Sequence, residues 1–148
     1  IKIAKKNGCD FVINYTKEDF PKKVLEITKG KGVPVVYDGV GKNTFAGSIE
    51  CLKTRGMLVS FGNSSGPVAN IDVTKMIQPK GLYFTRPSMG QYLGTKDEIR
   101  AGTDKLFKKI KLGQVKVEIF KKYKLEDAIQ AHKDLEGRKI IGPAIIIP

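Results

Sequence analysis

Three stretches of the chain carry residue types suited to holding a ligand. Asn14-Tyr15 offers an amide and a phenol. Asp38-Gly39-Val40-Gly41 sets a carboxylate beside two glycines. Phe61-Gly62-Asn63-Ser64-Ser65-Gly66 places amide and hydroxyl side chains between glycines. Glycine lets main chain approach a ligand closely, and a helix amino terminus beyond such a turn favours an anion. Taken singly, each has a plain reading as well: a half-exposed tyrosine at a strand end, a tight strand-to-helix turn, an ordinary loop. Their joint placement says more. Each follows an expected strand of one parallel sheet, so all three line the edge where open α/β sheets bind ligands.

Groups for acid–base or nucleophilic chemistry are scarce. His132 is the only histidine and falls on an expected helix, where it reads as a surface or packed side chain. Cys9 and Cys51 have no CxxC spacing and read as free thiols, buried or half-buried, of a reducing compartment such as the cytoplasm. A zinc site needs three or four ligands at suitable spacing, which Cys9, Cys51 and His132 do not supply. Ser64-Ser65 has no base at motif spacing. The chain is therefore expected to contain no catalytic side chain and no metal ligand of its own.

The elements that must position these residues follow from periodicity. Ile1, Ala4 and Lys5 end a helix at Asn7-Gly8, and Phe11-Val12-Ile13 reads as a short buried strand. Residues 18–29 form an amphipathic helix, with Pro21 tolerated in its first turn. Val33-Pro34-Val35-Val36-Tyr37-Asp38 is nearly continuous in apolar residues, the pattern of a strand buried on both faces. A helix over 43–52, a buried strand over 56–61, a short helix over 71–77 and a strand at Leu82-Tyr83-Phe84-Thr85 complete the alternation. This predicts a Rossmann-like, doubly wound parallel α/β sheet with helices on both faces. The texture changes near Arg86-Pro87. Beyond it, Thr95 and Glu98 make a capping box for a helix over 95–112. A strand over 115–123, a helix over 125–135 with Ala128, Ile129, Ala131 and Leu135 on one face, and a last buried strand over 144–147 follow.

Composition narrows the class. The 148 residues are 41% hydrophobic and 28% charged, ordinary for a globular protein. No apolar run approaches the roughly 20 residues that span a bilayer, so no membrane partner is expected. The net charge of +12 comes mostly from lysines scattered along the chain. Aromatic residues do not interleave with them as a base-stacking platform requires, so nucleic acid is not an expected partner. The opening Ile1-Lys2-Ile3-Ala4 has no signal pattern and no Met, the look of a piece of a longer product.

At the strand ends the sequence resembles a known family. Val12-Ile13-Asn14-Tyr15 is similar to the segment after the adenosine-side helix of zeta-crystallin-type quinone oxidoreductases, zinc-independent members of the medium-chain dehydrogenases/reductases. Val35-Val36-Tyr37-Asp38-Gly39-Val40-Gly41 resembles that family's strand before the nicotinamide-ribose loop. Gly56-Met57-Leu58-Val59-Ser60-Phe61-Gly62-Asn63-Ser64-Ser65-Gly66 is the most specific match. Tyr83-Phe84-Thr85-Arg86-Pro87-Ser88 and Leu135-Glu136-Gly137-Arg138 continue it in order. The resemblance covers essentially all 148 residues and is nearest the bacterial type.

The resemblance implies NADPH as cofactor and hydride transfer to a small-molecule quinone, with no metal. Tyr15 matches the tyrosine that helps hold the ribose 2′-phosphate. Gly39 stands where relatives often have serine, which leaves main-chain contact beside Gly41. Phe61, Gly62, Asn63 and Ser64 match the loop near the nicotinamide half, and Arg138 a basic residue that reaches the cofactor from the carboxy-terminal segment. Leu82-Tyr83-Phe84-Thr85 matches the edge through which family homodimers join their sheets. The comparison also implies that the first Rossmann strands, the glycine-rich turn and the catalytic domain lie upstream of Ile1. Residues 1–86 are then a partial NADPH-binding domain, and residues 87–148 a return segment of the catalytic domain. Three rivals stand beside this reading: an enone or alkenal reductase of the same superfamily, a methyltransferase, and a basic nucleic-acid-binding α/β module. Composition and spacing by themselves reach only a nucleotide-binding α/β protein.

Overall fold

Asp19 opens the first well-capped helix, its carboxylate accepting the Lys22 amide at 3.1 Å, with Pro21 in the first turn as expected. This helix, α2 (Phe20–Ile27), follows a single amino-terminal turn of helix, α1 (Lys2–Lys6). The chain then runs through β1 (Val33–Asp38), α3 (Phe45–Glu50), β2 (Leu52–Ser60) and β3 (Tyr83–Thr85). A π-type turn (Val73–Ile77) and a 3-10 turn (Gln78–Lys80) precede β3. The computed structural model describes residues 1–148, which form two compact units, Ile1–Gln91 and Tyr92–Pro148.

In the first unit the strands make one parallel sheet in the order β1-β2-β3. The register aligns Val36 with Leu58 and Leu58 with Phe84, so these three share a face. That face meets α3 and the turns before β3. Phe45, Ile49, Leu52, Leu58 and Leu82 form the buried core, and the Phe45 ring meets the Phe84 ring edge-on at 5.8 Å. Lys80 closes the far end of α3, its ammonium donating to the carbonyls of Glu50 and Leu52 at 2.8 and 2.7 Å.

Three expectations for this unit are corrected. Residues 11–13 form no strand, and Phe11 is exposed. A strand exists through its ladder, and β1 pairs only with β2, so no ladder reaches residues 11–13. The sheet is also not buried on both faces. Val35, Met57 and Tyr83 point away from α3 and stay exposed, as does Tyr37 at 73%. The apolar run of β1 reports its composition; how many layers cover it is decided by other elements. β2 starts earlier than expected because Leu52 already pairs with Val33, and an irregular stretch through Arg55 (φ 58°) separates that pair from Val35 and Met57.

The second unit carries α5 (Lys96–Lys111), β4 (Lys121–Lys124), α6 (Ala128–Glu136) and β5 (Ala144–Ile147). A single turn, α4 (Met89–Tyr92), lies at the change of unit. The capping box at Thr95 and Glu98 forms as expected, and Gly113 follows α5 in a left-handed conformation. β4 and β5 pair in parallel over four residues each. The expected strand over 115–123 is thus shortened to Lys121–Lys124, since β5 offers no longer partner. β5 itself is exposed along its length, not buried. The inward face of α6 also differs. Ala128, Ala131 and Asp134 turn inward while Ile129 (72%) and Leu135 remain exposed. The reason is polar: Asp134 accepts hydrogen bonds from the Tyr123 hydroxyl at 2.8 Å, Lys121 Nζ at 3.0 Å and Gln130 Nε2 at 2.8 Å. Together these hold its carboxyl far below the usual range and orient the helix on β4.

No helix is long and apolar enough to cross a membrane. Leu58→Ala is expected to lower stability by about 2–5 kcal/mol through a core cavity, read by urea denaturation. Thr95→Ala is expected to lose about 1 kcal/mol and to speed amide exchange in the first turn of α5 while leaving β1 and β2 unchanged.

Candidate functional site

A carboxylate withdrawn from water needs donors around it. Asp38, the last residue of β1, is only 4% exposed. Its Oδ1 accepts from the amides of Val40 and Gly41 at 2.8 and 2.9 Å. Thr44 Oγ1 lies 2.9 Å from both carboxylate oxygens, and Ser48 Oγ donates to Oδ2 at 2.8 Å. Thr44 immediately precedes α3 and Ser48 sits one turn later, so both hydroxyls face the strand end. Burial pushes the Asp38 carboxyl upward, but the donors from Gly41, Ser48, Val40 and Thr44 outweigh it and hold the group below its ordinary 3.8. Asp38 is therefore ionised at neutral pH with neutral partners. The amides of Val40 and Gly41 are consumed within the turn.

The same residue reaches the next turn through its main chain. The Asp38 carbonyl accepts from the amides of Phe61 and Gly62 at 3.0 and 3.3 Å. Val40 O then accepts from Ser65 N and Ser65 Oγ at 2.8 and 2.7 Å, and Gly66 O accepts from Lys42 N at 3.1 Å. The pairing of β1 with β2 thus continues past the sheet and interlocks the two turns. Gly41 is required by this contact. Its φ is +87°, and a β-carbon there would lie 2.7 Å from Gly66 O. At Gly39 a β-carbon would come within 2.9 Å of the Phe61 ring, the exposed end of a flexible side chain that can turn aside, so Gly39 is constrained less than Gly41.

Tyr15 and Gly39 share a cleft of about 250 Å³, lined also by Ile13, Phe20, Val36 and Val40. Asn14 shapes the approach: its Oδ1 accepts from the Thr16 main-chain amide at 3.1 Å and its own main-chain N–H donates to Glu18 Oε1 at 3.0 Å. Gly62 and Asn63 line a second cavity of about 260 Å³ with Ser60, Val68, Phe84 and Arg86. Phe61 and Ser64 are exposed on the turn itself. Arg138 belongs to the second unit, where it follows α6 with φ 55° and an exposed side chain. Within the second unit, concavities of about 330 Å³ (with His132 and Tyr123) and about 440 Å³ (with Tyr123 and Glu126) contain no expected cofactor residue. Cys51 is buried, and burial pushes its thiol up to about 11; Cys9 is exposed, against the expectation of two sheltered thiols. No group of three or more potential metal ligands exists.

Sequence reasoning missed the residues that hold the turns in place. Thr44 and Ser48, spaced i and i+4 behind an Asp-Gly-x-Gly turn, were a readable signal for a buried acceptor at Asp38. Arg86, which donates to the Ser60 and Gly62 carbonyls, had none, because its targets lie 26 and 24 residues away.

Asp38→Asn is expected to cost about 1.5–3 kcal/mol at pH 7, the range for hydrogen bonds to a charged group. Because the folded pKa is depressed, Asp38's contribution is in force above pH 3.8 and is lost as pH falls through the folded value. The variant should therefore lose less stability than the wild type between about pH 5 and about pH 2 when both are followed by urea melts. Gly81 also has positive φ but open space around it. Gly81→Ala should cost about 1–2 kcal/mol and Gly41→Ala clearly more; equal costs would show that the two turns are not interlocked through Gly41.

The zinc-binding dehydrogenase family profile matches residues 7–146 of the chain. Quinone oxidoreductase 1 of Escherichia coli is 44% identical over 147 residues, covering 98% of this chain and 45% of that protein. A 2-haloacrylate reductase of a Burkholderia species is 40% identical over 146 residues, covering 98% of this chain and 44% of its own length. The crystal structure of the Escherichia coli quinone oxidoreductase complexed with NADPH superposes with a TM-score of 0.94 at 44% identity, over 99% of this chain and 46% of that one. The chain thus spans slightly less than half the length of these relatives. Its parallel sheet and crossovers have the Rossmann-type α/β fold of those structures, and the chain belongs to the zinc-binding dehydrogenase family.

Proposed function

We propose that this chain supplies part of the cofactor site of an NADPH-dependent reductase that passes hydride to quinones. The carrying observation is the interlocked pair of turns after β1 and β2 beside the Tyr15 cleft, in a fold 44% identical to a relative solved with NADPH. The residues suit a dinucleotide. Tyr15 presents an exposed phenol at the cleft, Gly39 lines the same cleft with bare main chain, and both Asp38 oxygens are occupied by the protein's own donors. In this reading Tyr15 contacts the ribose bearing the 2′-phosphate. Gly39 and Gly41 let the turn run close to the dinucleotide, while Phe61, Gly62, Asn63 and Ser64 face the nicotinamide half. Arg138 adds a cation from the second unit. The surplus of lysines favours an anionic cofactor.

The cofactor, when bound, supplies the hydride. The chain's own residues orient it and exclude water, and none acts as acid, base or metal ligand. Residues 1–86 are the partial NADPH-binding domain and residues 87–148 the return segment of a catalytic domain. The exposed edge of β3 joins a second copy in a homodimer, and the working compartment is the cytoplasm. The similarity to a 2-haloacrylate reductase supports a second reading in which the acceptor is an activated alkene.

The test compares oxidation of NADPH and NADH with a simple quinone, using the 148-residue chain beside a version extended upstream. Turnover only by the extended protein, with NADPH preferred and the preference reduced in Tyr15→Phe, is the expected result. Turnover of acrylates but not quinones selects the second reading. Quinone reduction by the 148-residue chain alone contradicts the division of labour between this chain and an upstream catalytic domain.

A further inference from the structure

We infer that Arg86 is a positioning residue that sets the place of the Ser60–Phe61–Gly62 segment, the wall that the proposed function assigns to the nicotinamide half. The inference uses that reading only for what the wall faces; the geometry is independent of it. The β2–β3 ladder ends at the pair Val59 and Thr85. Pro87 follows almost at once and has no N–H, so the main chain of this segment cannot continue the ladder as donor. The carbonyls of Ser60 and Gly62 therefore lose their expected partners on the β3 side. Arg86 replaces them with its side chain: Nη1 donates to Ser60 O at 2.9 Å and to Gly62 O at 3.0 Å, with Ser60 Oγ at 3.4 Å.

One nitrogen thus bridges the two carbonyls that flank Phe61. On the opposite side, the Asp38 carbonyl accepts the amides of Phe61 and Gly62. The segment is clamped from both sides, by the main chain of β1 and by a single guanidinium. The two holds differ in robustness. The Asp38 carbonyl belongs to a buried residue at the end of a paired strand, whereas Arg86 is exposed and acts from beyond β3. Arg86 is the adjustable member. Its removal leaves the core of the sheet intact and frees only the turn that carries Phe61, Gly62, Asn63 and Ser64.

The test uses the 148-residue chain, Arg86→Met and Arg86→Lys. Amide exchange is followed by NMR at residues 60–66 and, as a control for folding, at Val36 and Leu58. NADPH is titrated against the same three sequences carried in the upstream-extended protein and read at the amides of residues 39–41 and 61–66. Arg86→Met should speed exchange at 60–66 by about tenfold, with Val36 and Leu58 unchanged. It should also weaken NADPH binding by about tenfold. Arg86→Lys keeps a cation with several donors and should recover most of both. Unchanged exchange at 60–66 in Arg86→Met overturns the inference, as does a rise spread equally over β1 and β2. If the upstream-extended protein with Arg86 intact shows no shifts with millimolar NADPH, the cofactor reading fails, and the exchange data alone decide the role of Arg86.

Discussion

The first unit depends on one buried carboxylate. Asp38 lies where β1 stops, and every donor around it is neutral. A charge in that position cannot be left with fewer partners without a large desolvation cost. The turn must therefore fold back far enough to offer two amides, and α3 must begin close enough to offer two hydroxyls. That single requirement sets the angle of the strand-to-helix connection. The carbonyl of the same residue then ties the turn after β2 to it. Side chain and main chain of Asp38 thus fix the turns after β1 and β2 relative to one sheet edge.

Surrounding elements divide the work by face. The face bearing Val36, Leu58 and Phe84 is covered by α3 and the turns before β3, and it supplies the rigidity. The opposite face carries Val35, Tyr37, Met57 and Tyr83 in the open. The edge at the carboxyl ends of the strands lies between a packed layer and an uncovered one. Precision at that edge comes from hydrogen bonds more than from close packing, which is why Asp38, Ser65 and Arg86 matter more there than any apolar contact. In the second unit Asp134 plays a comparable organising part, drawing Tyr123, Lys121 and Gln130 together and turning α6 by its polar side.

Much of this was legible in the residues. Alternation of apolar runs with amphipathic stretches determined β1, β2, β3 and α5, because helix and strand periods are local properties of sequence. The capping box at Thr95 and Glu98 was readable for the same reason: both partners lie within one turn. The turns after β1 and β2 share an edge by the rule that parallel strands put their carboxyl ends together, whereas Asn14-Tyr15 reaches the Gly39 cleft with no strand before it. Resemblance to the quinone oxidoreductases was carried by whole strings of residues at those ends.

What tertiary structure alone decided concerns partners distant in sequence. Residues 11–13 have a strand's composition but no ladder, and residues 115–120 stay outside the β4–β5 ladder, which covers only Lys121–Lys124. Ile129 and Leu135 have the apolarity of an inward face, yet Asp134 is what turns inward, since a buried ion network constrains orientation more tightly than nondirectional burial does. Gly39 and Gly41 read as places for a ligand to approach; the fold reveals that Gly41 is needed first by the neighbouring turn at Gly66. Arg86 read as a boundary residue beside a proline and became a donor to carbonyls of another strand. Local periodicity determines which elements form, but which surfaces and hydrogen bonds they share is a property of pairs of elements, and only the assembled chain brings those pairs together.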